Sequence, residues 1–289
     1  MPDATAADRK VPTRRISFEE SLRHVPRHFA CDGDIVLSHL AASLSAVFPD
    51  GEDFFVRSVR HFRGDVGDPA LKRQVAGFIG QEAMHGREHR AFNRRLSELG
   101  YPTLAFERLT RRGLALRERL ASPKANLAAT AALEHFTATL AELLLTDEEA
   151  RGLFGDGAVR DLFLWHALEE SEHKAVAFDV YRAVGGTERM RTVTMNLVTA
   201  GFIGGMALAV AVSLAGDAVA RRPRALAASL RRFARSPLVS RELWRRLREY
   251  NRPGFHPDDR DTAVLVDRWR DELFGDAGLL NDRLVGSVA

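Results

Sequence analysis

Long segments with helix start and stop signals dominate this sequence and limit the folds that it can adopt. Three N-capping signals precede such segments: Asp68-Pro69, Ser122-Pro123 and Asp156. A capping side chain followed by proline suits the first turn of a helix, where the proline N–H would have no intrahelical partner anyway. The pattern after Asp68 continues to Gly100, and the pattern after Asp156 continues to Gly185, which suits a helix end.

An earlier segment begins near Asp34 and has the same helical pattern. A turn-forming triplet, Pro49-Asp50-Gly51, interrupts it, and the pattern resumes as EDFFVRSVRHF. Strand signals are weak by comparison. The sequence therefore predicts an all-α protein with four helical elements before residue 187.

Residues 192–216 form a run of twenty-five residues without a charge. A helix of that length can span a bilayer, and it can also be the core helix of a bundle. Gly201 and Gly205 form a GxxxG pair within the run, a spacing that lets two helices approach closely in lipid. The run predicts either a core helix or membrane association, and a homodimer is a candidate assembly.

The chain becomes rich in Arg after residue 220 and is broken by four prolines: Pro223, Pro237, Pro253 and Pro257. This composition predicts short amphipathic helices that pack on the rest of the protein or lie on an anionic membrane surface. A final helix is expected from about Asp261 to Phe274. We divide the chain into an N-terminal extension (1–30), a metal-binding helical bundle (31–186), a hydrophobic helix (187–220) and an Arg-rich helical tail (221–289).

Charge and cysteine content exclude several classes of protein. The 42 Lys and Arg residues nearly balance the 39 Asp and Glu residues, so a chain built to neutralise nucleic-acid phosphates is not expected. Cys31 is the single cysteine, which excludes an internal disulfide and a Cys-rich zinc site. The first fifteen residues lack a signal-peptide pattern and are expected to form a loose tail. We expect a cytoplasmic protein that the apolar run can anchor to the inner face of the cell membrane.

Two Glu-x-x-His pairs are the most informative chemical feature of the sequence. Glu82 and His85 lie three residues apart on one predicted helix, and Glu170 and His173 repeat that spacing on another. Residues at this spacing project from one helical face. Glu134 lies in an apolar stretch and Glu52 begins another helical segment, so each remaining helix can contribute one carboxylate.

This set of residues is the one with which a four-helix bundle holds two metal ions. Four carboxylates offset the charge of two divalent ions and bridge them, and one imidazole per ion completes each shell. We therefore predict two divalent cations as cofactors. Mixed oxygen and nitrogen ligands favour iron, with manganese or zinc as alternatives.

Other residues near these positions are candidates for catalysis. His89 and His166 each lie seven residues from a predicted ligand and can act as extra ligands, as partners of ligands or as hydrogen-bonded core histidines. The segment His85 to His89 also reads H-x-x-E-H, an arrangement in which two histidines hold zinc and Glu88 activates water. Glu169 is an alternative to Glu170, since it lies four residues before His173.

Several long motifs resemble a known family: FPDGEDFFVRSVRHF, FIGQEAMHGREHRAFN, ALEHFTATLAELLL and WHALEESEHKAVAFDVYRAVGG. They look like the bacterial family labelled predicted metal-dependent hydrolase, over roughly residues 15 to 215. The resemblance implies a helical bundle similar to the ferritin-like group, here with an additional hydrophobic helix and a C-terminal set of short basic helices. It implies the metal ligands Glu52, Glu82, His85, Glu134, Glu170 and His173.

Four functions remain open from the sequence. The family label implies hydrolysis of an unknown small-molecule substrate by metal-activated water. The same ligands suit an O2-dependent di-iron oxidase or oxygenase. A mononuclear zinc hydrolase that uses the H-x-x-E-H segment and a metal-binding protein without enzymatic activity are the other two. The hypotheses in which the protein is an enzyme predict a cavity beside the ions, lined by Phe54, Phe78, Phe136 and Trp165.

Overall fold

A computed structural model describes residues 10–286 and confirms the all-α class. The α-helices in chain order are α1 (Glu19–Leu22), α2 (Ile35–His61), α3 (Pro69–Glu98), α4 (Thr103–Leu120), α5 (Pro123–Thr146), α6 (Glu148–Gly152), α7 (Gly157–His173), α8 (Val176–Ala183), α9 (Glu188–Ala215), α10 (Pro223–Arg235), α11 (Arg241–Glu249) and α12 (Ala263–Phe274). Within residues 10–286, β pairing is limited to two isolated bridges.

The three predicted capping residues begin α3, α5 and α7, and Asp34, near which a helical segment was expected to begin, caps α2 in the same way. Asp34, Asp68, Ser122 and Asp156 each accept a hydrogen bond from a backbone N–H in the first turn, of α2, α3, α5 and α7 respectively. These bonds satisfy N–H groups that have no partner within the helix. The predicted helix after Asp261 is also present, as α12.

The predicted interruption at Pro49 is wrong, because α2 continues through it. A proline cannot donate to the carbonyl four residues earlier, which here belongs to Ser45. The side-chain amide of Asn93 donates to that carbonyl at 3.0 Å, and Arg90 donates to the Pro49 carbonyl at 3.2 Å. Side chains of α3 thus replace the missing bond and keep the helix unbroken.

Two other helical elements differ from the sequence prediction. α4 was not predicted, because no capping side chain marks its start after Pro102. Its apolar residues are largely exposed, and only Thr103 and Glu107 are buried. The helix after Asp156 is not continuous either: α7 ends at His173, a short turn follows, and α8 begins at Val176.

Four helices enclose the centre of the molecule. α2 packs against α3 and α5, and α7 packs against α5 and α3. One apolar cluster contains residues such as Phe92, Leu144 and Trp165, and a second contains residues such as Phe54 and Phe178. Along the four helices, a layer of buried Glu and His side chains lies between these two clusters.

α9 lies along the outside of this core, against α2 and α5. It is long and apolar enough to cross a membrane, but only 11% of its most apolar window is buried. Met195, Met206 and Ser213 face inward, whereas Leu197 and Leu208 are about two-thirds exposed. The core-helix interpretation therefore does not hold, since most of the helix is not covered. α10, α11 and α12 pack back on α2, α5 and α7 respectively.

Residues 11–13 of the N-terminal segment pack on α3. A Cβ atom added at Gly77 or Gly80 would meet Val11 or Thr13 at about 2 Å, so these glycines permit the close approach. The carbonyl of Pro12 accepts a hydrogen bond from Gln81 at 3.0 Å. The loose tail predicted for the first fifteen residues is thus wrong for residues 10–15, and residues 1–9 lie outside the described part.

Candidate metal centre

The polar layer between the two apolar clusters brings the predicted ligands together. All six are at most 2% exposed, and His166 is also buried. α2 supplies Glu52, α3 supplies Glu82 and His85, α5 supplies Glu134, and α7 supplies His166, Glu170 and His173.

The first group of side chains consists of Glu52, His85 and His166. Each offers one ligand atom, and these atoms lie within 4.8 Å of one another. The Nε2 atom of His166 is 3.8 Å from Oε1 of Glu52. The rings of His85 and His166 stack with their centroids 4.1 Å apart, and Trp165 packs edge-on against His85. The three could hold one cation.

The second group consists of Glu82, Glu170 and His173, whose ligand atoms also lie within 4.8 Å of one another. The Nε2 atom of His173 is 3.1 Å from Glu82 Oε1 and 3.7 Å from Glu170 Oε1. Glu134 Oε2 lies 3.4 Å from the same nitrogen. Three carboxylates from three helices therefore surround one imidazole nitrogen.

Glu170 lies between the two groups. Its Oε1 atom is 3.0 Å from His166 Nε2 and 3.8 Å from His85 Nδ1, and it also faces His173. Thr137 donates a hydrogen bond to its other carboxylate oxygen. A carboxylate in this position can contact ions in both groups.

The residues fit a cation because so many of their buried polar atoms have no hydrogen-bond partner. Both carboxylate oxygens of Glu52, Glu82 and Glu134 are buried and have no hydrogen-bond partner. Within residues 10–286, the ion-pairing partners within 4.0 Å of these carboxylates and Glu170 are imidazoles, with no Lys or Arg among them. A buried carboxylate without a partner is costly, and a bound cation removes that cost.

Burial and the neighbouring carboxylates also shift the pKa values of these side chains. Burial, together with the neighbouring carboxylates, raises the pKa of Glu52 well above its usual value. Burial and the nearby Glu170 carboxylate raise the pKa of Glu134 to about 7. Burial lowers the pKa of His85 well below its ordinary value, so this imidazole is held neutral, the form that binds metals.

Neighbouring side chains contact the imidazoles of His173 and His85, and a hydrogen bond orients that of His173. Gln81 Oε1 is 2.8 Å from Nδ1 of His173, which leaves Nε2 facing the carboxylates. Glu169 Oε2 is 3.1 Å from Nε2 of His85. Arg14 pairs with Glu169 at 2.9 Å, so the N-terminal segment reaches the carboxylate that lies beside His85. A hydrogen-bond acceptor such as Gln81 Oε1 fixes the ring orientation of a ligating histidine and raises its basicity.

His89 lies in a hydrogen-bonded chain that leads away from the polar layer. Its Nε2 atom is 2.8 Å from His166 Nδ1, and its Nδ1 atom is 2.8 Å from the hydroxyl of Ser45. Ser45 donates to Asn93, which donates to Glu107. His89 thus contacts His166 and does not belong to either candidate cation group.

Glu88 faces the N-terminal segment. Its carboxylate accepts hydrogen bonds from the backbone N–H of Phe18 at 2.7 Å and from Arg87 at 2.8 Å. The Glu88 carboxylate therefore lies on the side of α3 that faces residues 16–18. It is not part of the group that contains His85.

A third group of potential ligands lies elsewhere, formed by His28, His39 and Asp217. Arg27 pairs with the same carboxylate oxygen that both histidines approach, at 3.1 Å. A guanidinium therefore already neutralises Asp217, and we assign the group a structural role at the end of α9.

A cavity of about 540 Å³ adjoins the polar layer. His166, Glu170 and Thr137 line one end, and apolar side chains such as Phe48 and Phe202 line the rest. Of the four aromatic residues predicted to line a cavity, Phe136 does so. Phe54, Phe78 and Trp165 are fully buried in the apolar clusters instead.

These observations define an all-helical protein with buried carboxylate and histidine groups that could hold metal ions. The sequence profile of the family described as predicted metal-dependent hydrolase matches residues 12–261, and the chain belongs to this family. No curated protein and no solved structure matches the chain. The family resemblance is confirmed, while the relationship to the ferritin-like group stays a prediction.

Proposed function

We propose that the polar layer binds two divalent cations and that the protein is a hydrolase of a small-molecule substrate. The proposed ligands are Glu52, His85 and His166 on one side, Glu82, Glu134 and His173 on the other, and Glu170 between them. The clustering of buried carboxylate oxygens without hydrogen-bond partners carries this proposal. The family membership of the chain supports the metal dependence.

Bound divalent ions would supply Lewis-acid activation of water and of the substrate group that it attacks. The side chains of this protein prepare the site for that chemistry. The two apolar clusters flank the polar layer, and its carboxylate and imidazole side chains are buried. His89, hydrogen-bonded to His166 and Ser45, is placed to hold or pass a proton through His166 Nδ1.

Metal content tests this proposal most simply. We expect about two iron, manganese or zinc ions per chain in purified protein, and loss of at least one in Glu82→Gln. Glu98→Gln is the matched control, since Glu98 lies on the same helix and is exposed. Metal content that is the same in both variants, or absent from the parent protein, would contradict the proposal.

Oxidation with O2 is a second candidate, because oxygen-rich ligand sets with histidine suit iron. Anaerobic reconstitution with Fe(II) followed by exposure to O2 distinguishes the two reactions. A transient optical band at two irons per chain favours oxidation. Hydrolysis of ester, amide or phosphate substrates without O2 consumption favours the proposed function.

The two remaining alternatives have less support. The mononuclear zinc arrangement needs Glu88 beside His85 and His89, but the Glu88 carboxylate is bound to Phe18 and Arg87. A purely structural or storage role for the metal does not require a cavity beside the ions, but one adjoins the polar layer. We therefore rank both behind the enzyme.

We also infer that α9 contacts a membrane surface without crossing it. Apolar residues such as Leu197 and Leu208 are exposed along the helix. The next segment, residues 218–241, contains seven Arg and no Asp or Glu. An exposed apolar face beside a cationic helix suits the interface of an anionic membrane. A span is less suitable, since α2 and α5 lie against the same helix.

A further inference from the structure

The cavity beside the polar layer has a strongly uneven distribution of polar groups. Its lining includes residues from α2, α5, α7, α9, α10 and α11. Among the described lining residues, the polar side chains other than the Trp244 indole are Thr137, His166 and Glu170. These three are joined by hydrogen bonds at the edge of the candidate metal centre.

Apart from Trp244, the remaining residues of the lining have apolar side chains. Leu40, Leu44 and Leu140 contribute from α2 and α5, and Phe202 and Val210 contribute from α9. All five are only partly buried, although they lie between helices. Their uncovered surface lines an apolar space, and an apolar ligand would cover that surface favourably.

The outer end of the cavity lies between α9 and α10. Ile203 and Leu230 line it and are 37% and 47% exposed, so they mark an opening to the surface. Phe233 of α10 lines it as well. An elongated apolar molecule can therefore reach from this opening to Glu170 and His166.

We propose that this cavity binds the hydrocarbon chain of an amphiphilic substrate, with the reacting group at Glu170 and His166. The proposal rests on the proposed function only for the position of the reacting group. Binding of the chain depends on the lining of the cavity and does not need the metal. A volume of about 540 Å³ is within the range of pockets that enclose most of a small ligand.

A series of straight-chain probes tests the chain-binding claim. We expect hexanoate, octanoate, decanoate and dodecanoate to bind progressively more tightly in calorimetric titration, by up to about fourfold per added methylene. Decanol should show the same dependence on chain length as decanoate if the apolar lining is responsible. Affinity that does not change with chain length would overturn the proposal, as would binding that requires the carboxylate.

Two substitutions on α9 locate the binding site. Ile203→Trp should narrow the opening and weaken dodecanoate binding by at least about tenfold. Leu208→Trp is the matched control, because Leu208 is 67% exposed on the same helix and does not line the cavity. Both sites are at the surface, so both variants should fold. Equal binding by the two variants would contradict the assignment of the cavity.

Failure of this proposal can be told apart from failure of the metal centre. Glu82→Gln should lose metal and keep the chain-length dependence of binding. Ile203→Trp should keep its metal and lose chain binding. Protein that binds two metal ions but shows no chain-length dependence refutes only the substrate class, whereas chain binding without any metal refutes only the proposed function.

Discussion

Glu134 illustrates the energetic conflict within the polar layer. Its carboxylate is buried, has no hydrogen-bond partner on either oxygen, and lies 3.4 Å from His173. Burial in apolar surroundings disfavours the charged form, and the neighbouring Glu170 adds repulsion. The residue is therefore unfavourable for the fold until a cation compensates its charge.

Glu134→Gln should consequently have opposite effects on the two forms of the protein. In the presence of a chelator at pH 7, we expect the variant to be more stable than the parent by about 1–3 kcal/mol, since the raised pKa of Glu134 means that its charged form opposes folding. With metal added, the parent should gain more stability than the variant. Thermal unfolding with and without metal measures both effects. A variant that is destabilised equally in both conditions would indicate a packing role only.

Asp217 shows the opposite situation, because its charge is compensated within the protein. It is 1% exposed and lies within 3.1 Å of nitrogen atoms of Arg27, His28 and His39. Although burial opposes the effect, hydrogen bonds from His28, His39 and Arg27 hold the pKa of Asp217 well below its usual value. This carboxylate therefore stabilises the fold in its charged form.

The stability that Asp217 contributes should depend on pH with a definite sign. The folded-state pKa is below that of the unfolded chain, so the contribution is complete above about pH 4 and is lost as the pH falls further. At pH 7 we expect Asp217→Asn to lower the free energy of unfolding by about 2 kcal/mol. Urea unfolding of both proteins across this pH range measures the difference. Exposed Asp282→Asn is the control, and a difference that grows at low pH would contradict the assignment.

α9 differs from the other long helices in what covers it. α2, α3, α5 and α7 bury residues along their length, whereas α9 has four buried residues in 28. Its inner side closes the cavity through Phe202, Met206 and Val210. Its outer side leaves an apolar surface beside the Arg-rich α10. One helix can therefore line the cavity and contact a membrane.

Charge on the outer side of α9 should weaken the membrane contact that we propose for this helix. We expect Leu197→Glu combined with Leu208→Glu to reduce binding to vesicles that contain phosphatidylglycerol by at least about tenfold, because apolar area is lost and charge is added. Co-sedimentation measures the bound fraction. The control pair, Leu109→Glu with Leu120→Glu, alters similarly exposed residues on α4. An equal loss in both pairs, or no binding by the parent protein, would exclude α9 as the contact.

The helices themselves were predictable where a local signal marks them. The N-caps of α3, α5 and α7 can be read directly from the sequence, as can the start of α2 near Asp34. The continuity of α2 through Pro49 cannot, because it depends on Asn93 of another helix. α4 was missed because no capping side chain marks its start: its N-cap residue is Pro102, which makes no side-chain hydrogen bond.

In the candidate site too, residues marked by a local sequence signal could be predicted, and residues placed by contacts between distant segments could not. Spacing along single helices identified Glu82, His85, Glu170 and His173, and the apolar context identified Glu134. Gln81 and Arg14 were not identified, because their roles arise from contacts between segments distant in sequence. Gly77 and Gly80 are a local signal that another segment can approach α3 closely, and residues 11 and 13 do so.

The layered arrangement accounts for how one chain can hold these groups. Two apolar clusters, one on each side of the polar layer, provide the packing that fixes the four central helices. Those helices then hold four carboxylates at positions where a protein without metal gains little from them. We regard cation binding as the reason for this arrangement.

Anomalous X-ray scattering from crystals grown with Mn²⁺ or Fe²⁺ tests this account most directly. We expect two peaks per chain a few ångströms apart, one beside Glu52 and His85 and the other beside Glu82 and His173, with Glu170 between them. Glu134→Gln crystals should lose occupancy at the second peak. The absence of both peaks, or a metal bound only at His28, His39 and Asp217, would contradict it.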